Sequence, residues 1–138
     1  MAIRFFKLKR LVFNQGVTEV RYHPKMHPEV TVGFEELAEM IEKKSTMSRG
    51  DVLGVLAELE TTACYMLEKG HPVRLGILGT FYPSIETKSV DSPEKVTSKL
   101  IKRFKVIFKP SKYLRDRFLN VDFVLEDNVV REANNKNK

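Results

Sequence analysis

The stretch from Gly70 to Phe118 constrains this chain more than any other. It opens Gly70-His71-Pro72-Val73-Arg74-Leu75-Gly76-Ile77-Leu78-Gly79-Thr80-Phe81 and closes Phe108-Lys109-Pro110-Ser111-Lys112-Tyr113-Leu114-Arg115. Gly70 ends a run of helical periodicity and suits a C-cap. Val73, Leu75 and Ile77 alternate with Arg74 and Gly76, which is strand periodicity. Thr80 to Lys88 continues as a strand, with Phe81 and Ile85 on one face and Tyr82, Ser84 and Lys88 on the other. Pro83 cannot donate to a ladder, so it predicts an edge or bulge position. Ser92-Pro93-Glu94 is a helix-start pattern, predicting a short helical turn between Pro93 and Leu100. From Lys102 the alternation is strong. Phe104, Val106 and Phe108 face one way and Arg103, Lys105 and Lys109 the other, with Ile107 the exception. Ser111 then caps a helix from Lys112 to Leu119, with Leu114 and Phe118 turned inward.

Two helices precede this unit. The first starts near Gly33, where Glu36 can reach back to the cap amide and Val32 and Leu37 stand at staple positions. Leu37, Met40 and Ile41 carry its apolar stripe, and it stops near Lys44. The second begins at Ser48, with Asp51 completing a capping box, and runs to Lys69. Its stripe of Val52, Leu56, Leu59, Ala63 and Met66 or Leu67 is widened by Leu53, Val55 and Tyr65, which fits a dimer core as well as an ordinary buried helix. Cys64 on this helix reads as a small core filler.

The termini read as strands. Ile3 to Phe13 alternates in part, with Arg10 breaking the phase of Phe6, Leu8 and Val12. Asn14-Gln15-Gly16 is a turn, and Val17 to Tyr22 alternates again. His23 to Pro28 reads as an irregular linker, because each proline biases its predecessor away from helix. Val121 to Glu126 is a last strand. Residues 128–138, ending Asn-Asn-Lys-Asn-Lys, read as a disordered polar tail. The element order predicts an α+β fold in one domain over 1–127: a strand extension at 1–32, a core at 33–119 and a C-terminal strand at 120–127.

Charge narrows the function. The chain carries a net +6 over 138 residues, but unevenly. Met1 to Lys25 has six Lys or Arg against one Glu, and Lys95 to Arg117 has nine against Asp116 alone. Met26 to Gly70 is acidic. Clustered Lys and Arg fit a polyanion partner, and a solvated basic face is the competing account. No apolar run reaches the roughly 20 residues of a membrane helix, and Met1 to Arg10 is too basic for a secretory signal. The single Cys64 excludes an intramolecular disulfide and fits a reducing cytoplasm. His23, His27 and His71 lack ligand spacing and read as surface or turn residues. The chain has no phosphate loop, nucleophile elbow or zinc-protease motif, so neither an enzyme nor a bound cofactor or small-molecule substrate is expected.

The candidate binding residues follow from this pattern. Arg103, Lys105 and Lys109 form a basic strand face backed by an apolar one, Phe104, Val106 and Phe108, which is expected to pack on the helices. Lys112 and Arg115 lie in the first turns of the last helix, whose N-terminus with Ser111 offers amides to a phosphate. Lys88, Lys99 and Lys102 extend the basic segment. Arg74 could join it or simply face solvent.

Phe34-Glu35-Glu36-Leu37-Ala38-Glu39-Met40-Ile41, Gly79-Thr80-Phe81 and Phe108-Lys109-Pro110-Ser111-Lys112 together resemble the histone-like HU/IHF family of bacterial DNA-bending proteins. The flanking strands resemble its longer HU-related subfamily. The resemblance covers roughly Gly33 to Leu119. It implies an intertwined homodimer that grips double-stranded DNA with a β-saddle, with little sequence preference, in the cytoplasmic nucleoid. Family members that bend DNA carry an Arg-Asn-Pro arm tip. This chain has Asp91-Ser92-Pro93-Glu94 there, on a shorter interval between Phe81 and Phe108, so a wedge role is not carried onto Pro93. An HU-like interaction module with weakened DNA binding is the alternative.

Overall fold

A computed structural model describes residues 2–133. The chain divides into two units, Met1–Thr31 with Leu119–Lys138, and Val32–Phe118. Each contains a three-stranded sheet, and the second adds three helices, so the fold is α+β.

The first unit is built on a long hairpin of β1 (Ile3–Asn14) and β2 (Val17–Met26). Gln15 and Gly16 connect them with φ of 48° and 84°. Two positive φ values make a type I′ turn, whose twist matches that of the strands it joins. β2 is longer than the alternation predicts. The segment expected as a linker stays in the ladder, with Pro24 opposite Lys7 and Met26 opposite Phe5. Proline is tolerated because β2 is an edge strand in the order β2-β1-β6. β6 (Phe123–Glu132) runs parallel to β1 on the other side. It too outruns expectation: Val130, Arg131 and Glu132 pair with Lys7, Leu8 and Lys9, where a polar tail was predicted. The rest of that tail, 134–138, lies outside the described residues.

Phe6 and Leu8 are the buried residues of this sheet. The Arg131 guanidinium sits 4.4 Å from the Phe6 ring centroid, a cation–π lid over the aromatic. His27, expected as a surface or turn residue, is partly buried, with Nε2 3.3 Å from Glu126 Oε1. Arg4 bonds Glu29 at 2.8 Å. That hydrogen bond and charge hold the Glu29 carboxyl below its ordinary value and the Arg4 guanidinium above its own.

In the second unit α1 (Phe34–Glu42) and α2 (Arg49–Glu68) form a helical hairpin. The α1 cap is as the sequence implies, with the Gly33 amide donating to Glu36 Oε2 at 3.0 Å. At α2 the capping box closes from both sides: Ser48 Oγ accepts from the Asp51 amide at 3.2 Å, and Asp51 accepts from the Ser48 amide at 3.3 Å. Bonds from Ser48 hold the Asp51 carboxyl below its ordinary value. That contribution is therefore present at neutral pH and is lost as pH falls through the lowered pKa. Ala38, Val52 and Leu67 are buried. Val55, Leu59, Tyr65 and Met66 on the broad α2 stripe are exposed. Cys64 is exposed as well, which corrects its reading as a core filler: its part of α2 has nothing over it within one chain.

The helices pack chiefly on each other, and α2 also meets β3 (Val73–Leu75) and β4 (Gly79–Thr87). β4 pairs antiparallel with β3 on one side and with β5 (Ile101–Pro110) on the other. β3 ends opposite Phe81, so Pro83 lies where one edge of β4 is free. Between β4 and β5 the chain makes two short 3₁₀ turns, Pro93–Lys95 and Ser98–Leu100. The Lys88 amide donates to the Leu100 carbonyl at 2.9 Å, so the tip folds back compactly. α3 is shorter than predicted, Lys112–Arg117.

Gly79 fixes the register of this sheet. Its φ is +152°, and a Cβ there would overlap the Lys109 carbonyl and the Phe108 ring. Gly79→Ala is expected to destabilise the protein by about 2–4 kcal/mol, read as a lowered urea midpoint at constant m-value. An unchanged midpoint would show that the strands can separate at no cost.

Candidate nucleic-acid interface

The register of β4 and β5 decides which side chains share a face. Residues directly opposite in an antiparallel pair project to the same side. One face therefore carries Tyr82, Ser84 and Glu86 beside Ile107, Lys105 and Arg103. Arg74 lies opposite Thr80, which lies opposite Lys109, so these three form one row across the sheet. The structure thus joins Arg74 to the basic face, where the sequence left it open. Ile107, in phase with the basic residues, sits beside Tyr82 as an apolar patch among them.

The charges on this face differ in their freedom. Arg103 Nε lies 2.6 Å from Glu86 Oε2, and Lys102 Nζ 3.9 Å from its other oxygen. Glu86 is the residue the sequence reading missed: it stands outside the basic strand and reaches it only across the ladder. Matching Phe81 with Phe108 as an aromatic pair would have revealed it, since that register puts Glu86 opposite Arg103. The two rings are 4.9 Å apart. Arg74, Lys105 and Lys109 make no ion pair among the described residues. Lys109 Nζ instead lies 5.1 Å from the Tyr82 ring centroid.

The other candidates divide by place. Ser111 caps α3, accepting from the Leu114 amide at 3.1 Å while its hydroxyl donates to the Ile77 carbonyl. Its amide donates to Leu78 at 3.1 Å. Both functions of Ser111 thus hold the β3–β4 turn against α3, leaving the hydroxyl occupied inside the protein. Lys112 and Arg115 stand exposed on neighbouring turns of α3. Lys88 and Lys99 are exposed near the compact tip, where Lys95 pairs with Asp91 at 2.7 Å.

The reverse face corrects an expectation. Phe104, Val106 and Phe108 were expected to pack on the helices. They remain 50%, 45% and 42% exposed, because the helices pack mainly on each other and α2 meets the sheet at β3 and β4. Among the described residues no group of three or more His, Cys, Asp or Glu is placed to hold a metal ion. Among the described residues no helix is long and apolar enough to cross a membrane.

A family model described as an HU domain fused to wHTH, Ig, or Glycine-rich motif matches residues 1–124. The chain belongs to this HU-HIG family. Among solved structures it is similar to a protein from Bacteroides vulgatus ATCC 8482, described as a candidate bacterial DNA-binding protein, with TM-score 0.59 and 14% identity. The match covers 90% of this chain and 49% of that one, so the HU-HIG chain spans about half the length of that neighbour. At this identity the likeness concerns the fold. No curated protein matches the chain.

The Glu86 contact is testable by itself. Glu86→Gln removes the one carboxylate that engages Arg103 and Lys102. The variant is expected to elute from heparin at higher salt, with polyanion affinity raised about two- to fivefold. Unchanged elution would show that Arg103 does not meet the polyanion.

Proposed function

We propose that this HU-HIG protein binds duplex DNA without sequence specificity, as a homodimer, and acts as a nucleoid-associated protein in the bacterial cytoplasm. It performs no catalysis. The observation that carries this reading is the row of cations Arg74, Lys105 and Lys109 on one open sheet face, unpaired among the described residues. Lys112 and Arg115 extend the charge onto α3, with Arg103, Lys102, Lys99 and Lys88 toward the tip. Cations on a strand face track a phosphate backbone without reading base edges. The DNA-binding description of the Bacteroides neighbour points the same way.

The exposed apolar surface supports the dimer. Phe104, Val106 and Phe108 on the back of β5, together with Val55, Leu59, Tyr65 and Met66 on α2, stand open in a single chain. Exposed apolar faces of this kind mark a protein interface, and a second copy supplies the same unsatisfied surface. The expected solution mass is twice that of one chain.

The altered tip bears on bending. Pro93 opens a 3₁₀ turn, and its neighbour Asp91 engages Lys95. We assign no wedge to it, so any bend arises from wrapping DNA along the cationic face. The compact tip, with Asp91 and Glu94 where family members that bend DNA carry Arg-Asn-Pro, and the Glu86 clamp also favour a second reading, an HU-fold interaction module with weakened DNA binding.

Binding to a labelled duplex of about 30 base pairs separates the two readings. Under the first, affinity falls by about 100-fold or more between about 50 and 200 mM salt. Arg103, Lys105 and Lys109 changed together to Glu abolish binding while the protein stays folded. Absence of binding by the unaltered protein at the lower salt selects the second reading.

A further inference from the structure

The hairpin of the first unit carries a second basic face. Cross-strand partners place Phe6 with Lys25, Leu8 with His23, and Arg10 with Arg21 on one side of the β1–β2 ladder. Arg131 of β6, opposite Leu8, shares that side. Like charges directly opposite one another destabilise a sheet, so the Arg10–Arg21 pair works against the hairpin that contains it.

The acids near this face offset the conflict only on the Arg21 side. Glu19 lies 2.8 Å from Arg21, and Glu126 and Asp127 lie 3.0 and 3.4 Å from Arg131. Glu132 is 3.4 Å from Lys9. Arg10 and Lys25 have no ion-pair partner among the described residues. They line an open groove of about 670 Å³ with Leu8 and His23. Lys9 and Glu132 also line it, paired with each other, so Arg10 and Lys25 are its unpaired charges and its floor is apolar at the buried Leu8.

We propose that this groove is a second DNA contact, in which the unpaired Arg10 and Lys25 neutralise backbone phosphates. An anion beside Arg10 offsets the repulsion it meets from Arg21 across the ladder. The strand geometry suits a phosphate chain: alternate residues of β2 share a side, which puts Arg21 and Lys25 in line. This rests on the reading that the protein binds DNA, and it assigns part of that binding to residues outside the β4–β5 face.

The test uses the full chain and a labelled duplex of about 30 base pairs across about 50–200 mM salt. Arg10→Glu with Lys25→Glu should lower affinity about tenfold at the lower salt and make the log–log salt slope shallower by about 2. Thermal stability should be maintained or raised, because a carboxylate then stands opposite Arg21. Loss of affinity with that stability supports the groove. Affinity within about twofold of the unaltered protein overturns it, even where the Arg103, Lys105 and Lys109 variant abolishes binding; in that case the β4–β5 reading stands alone. If that second variant keeps its affinity and the first loses it, the groove is supported and the β4–β5 reading fails. Failure of the unaltered protein to bind DNA overturns both. Binding of acidic peptide but not duplex assigns the groove to a protein partner and overturns the proposal.

Discussion

The pairing of β4 with β5 is the constraint on which the second unit depends. Gly79 sits where the two backbones approach most closely, and only hydrogen fits between its Cα and the Lys109 carbonyl. Once that point is fixed, Phe81 meets Phe108, the cations of β5 fall into line with Arg74, and Ser111 comes within reach of the Ile77 carbonyl. The Gly-Thr-Phe segment and the Lys-Pro-Ser segment are thus two halves of one joint. A slip of one residue would turn every basic side chain to the apolar side.

Local chemistry explains what could be read from the sequence. The caps at Gly33, Ser48 and Ser111, the turn at Gln15-Gly16 and the alternation after Lys102 each depend on residues within a few positions of one another. All are found where their side chains predict. The elements that ran past expectation are held by distant partners. β2 continues through Pro24 because an edge strand needs no amide there, and which strand forms the edge is a property of the whole sheet. β6 continues to Glu132 because β1 offers it a ladder from the far end of the chain.

The candidate site shows the same division. The basic residues were visible one by one, yet their freedom was not. Glu86 neutralises Arg103 across the ladder, and Arg74 joins the row only through Thr80. Electrostatic character here belongs to pairs of strands, and a single strand read alone overstates its positive charge. The apolar back of β5 makes a related point: alternation shows that a face is hydrophobic, but not whether the same chain covers it.

The parallel pairing of β1 with β6 has a consequence for how the molecule is made. The β1–β2 hairpin is synthesised before the second unit, and its third strand after it. All of the second unit lies within the loop that this pairing closes, a connection of high sequence separation whose closure is entropically slow unless the intervening segment is already compact. Folding of the middle therefore shortens the effective loop and sets the order of events. Until β6 arrives, Phe6 lacks the Arg131 lid, and the hairpin's far edge is open to other partners.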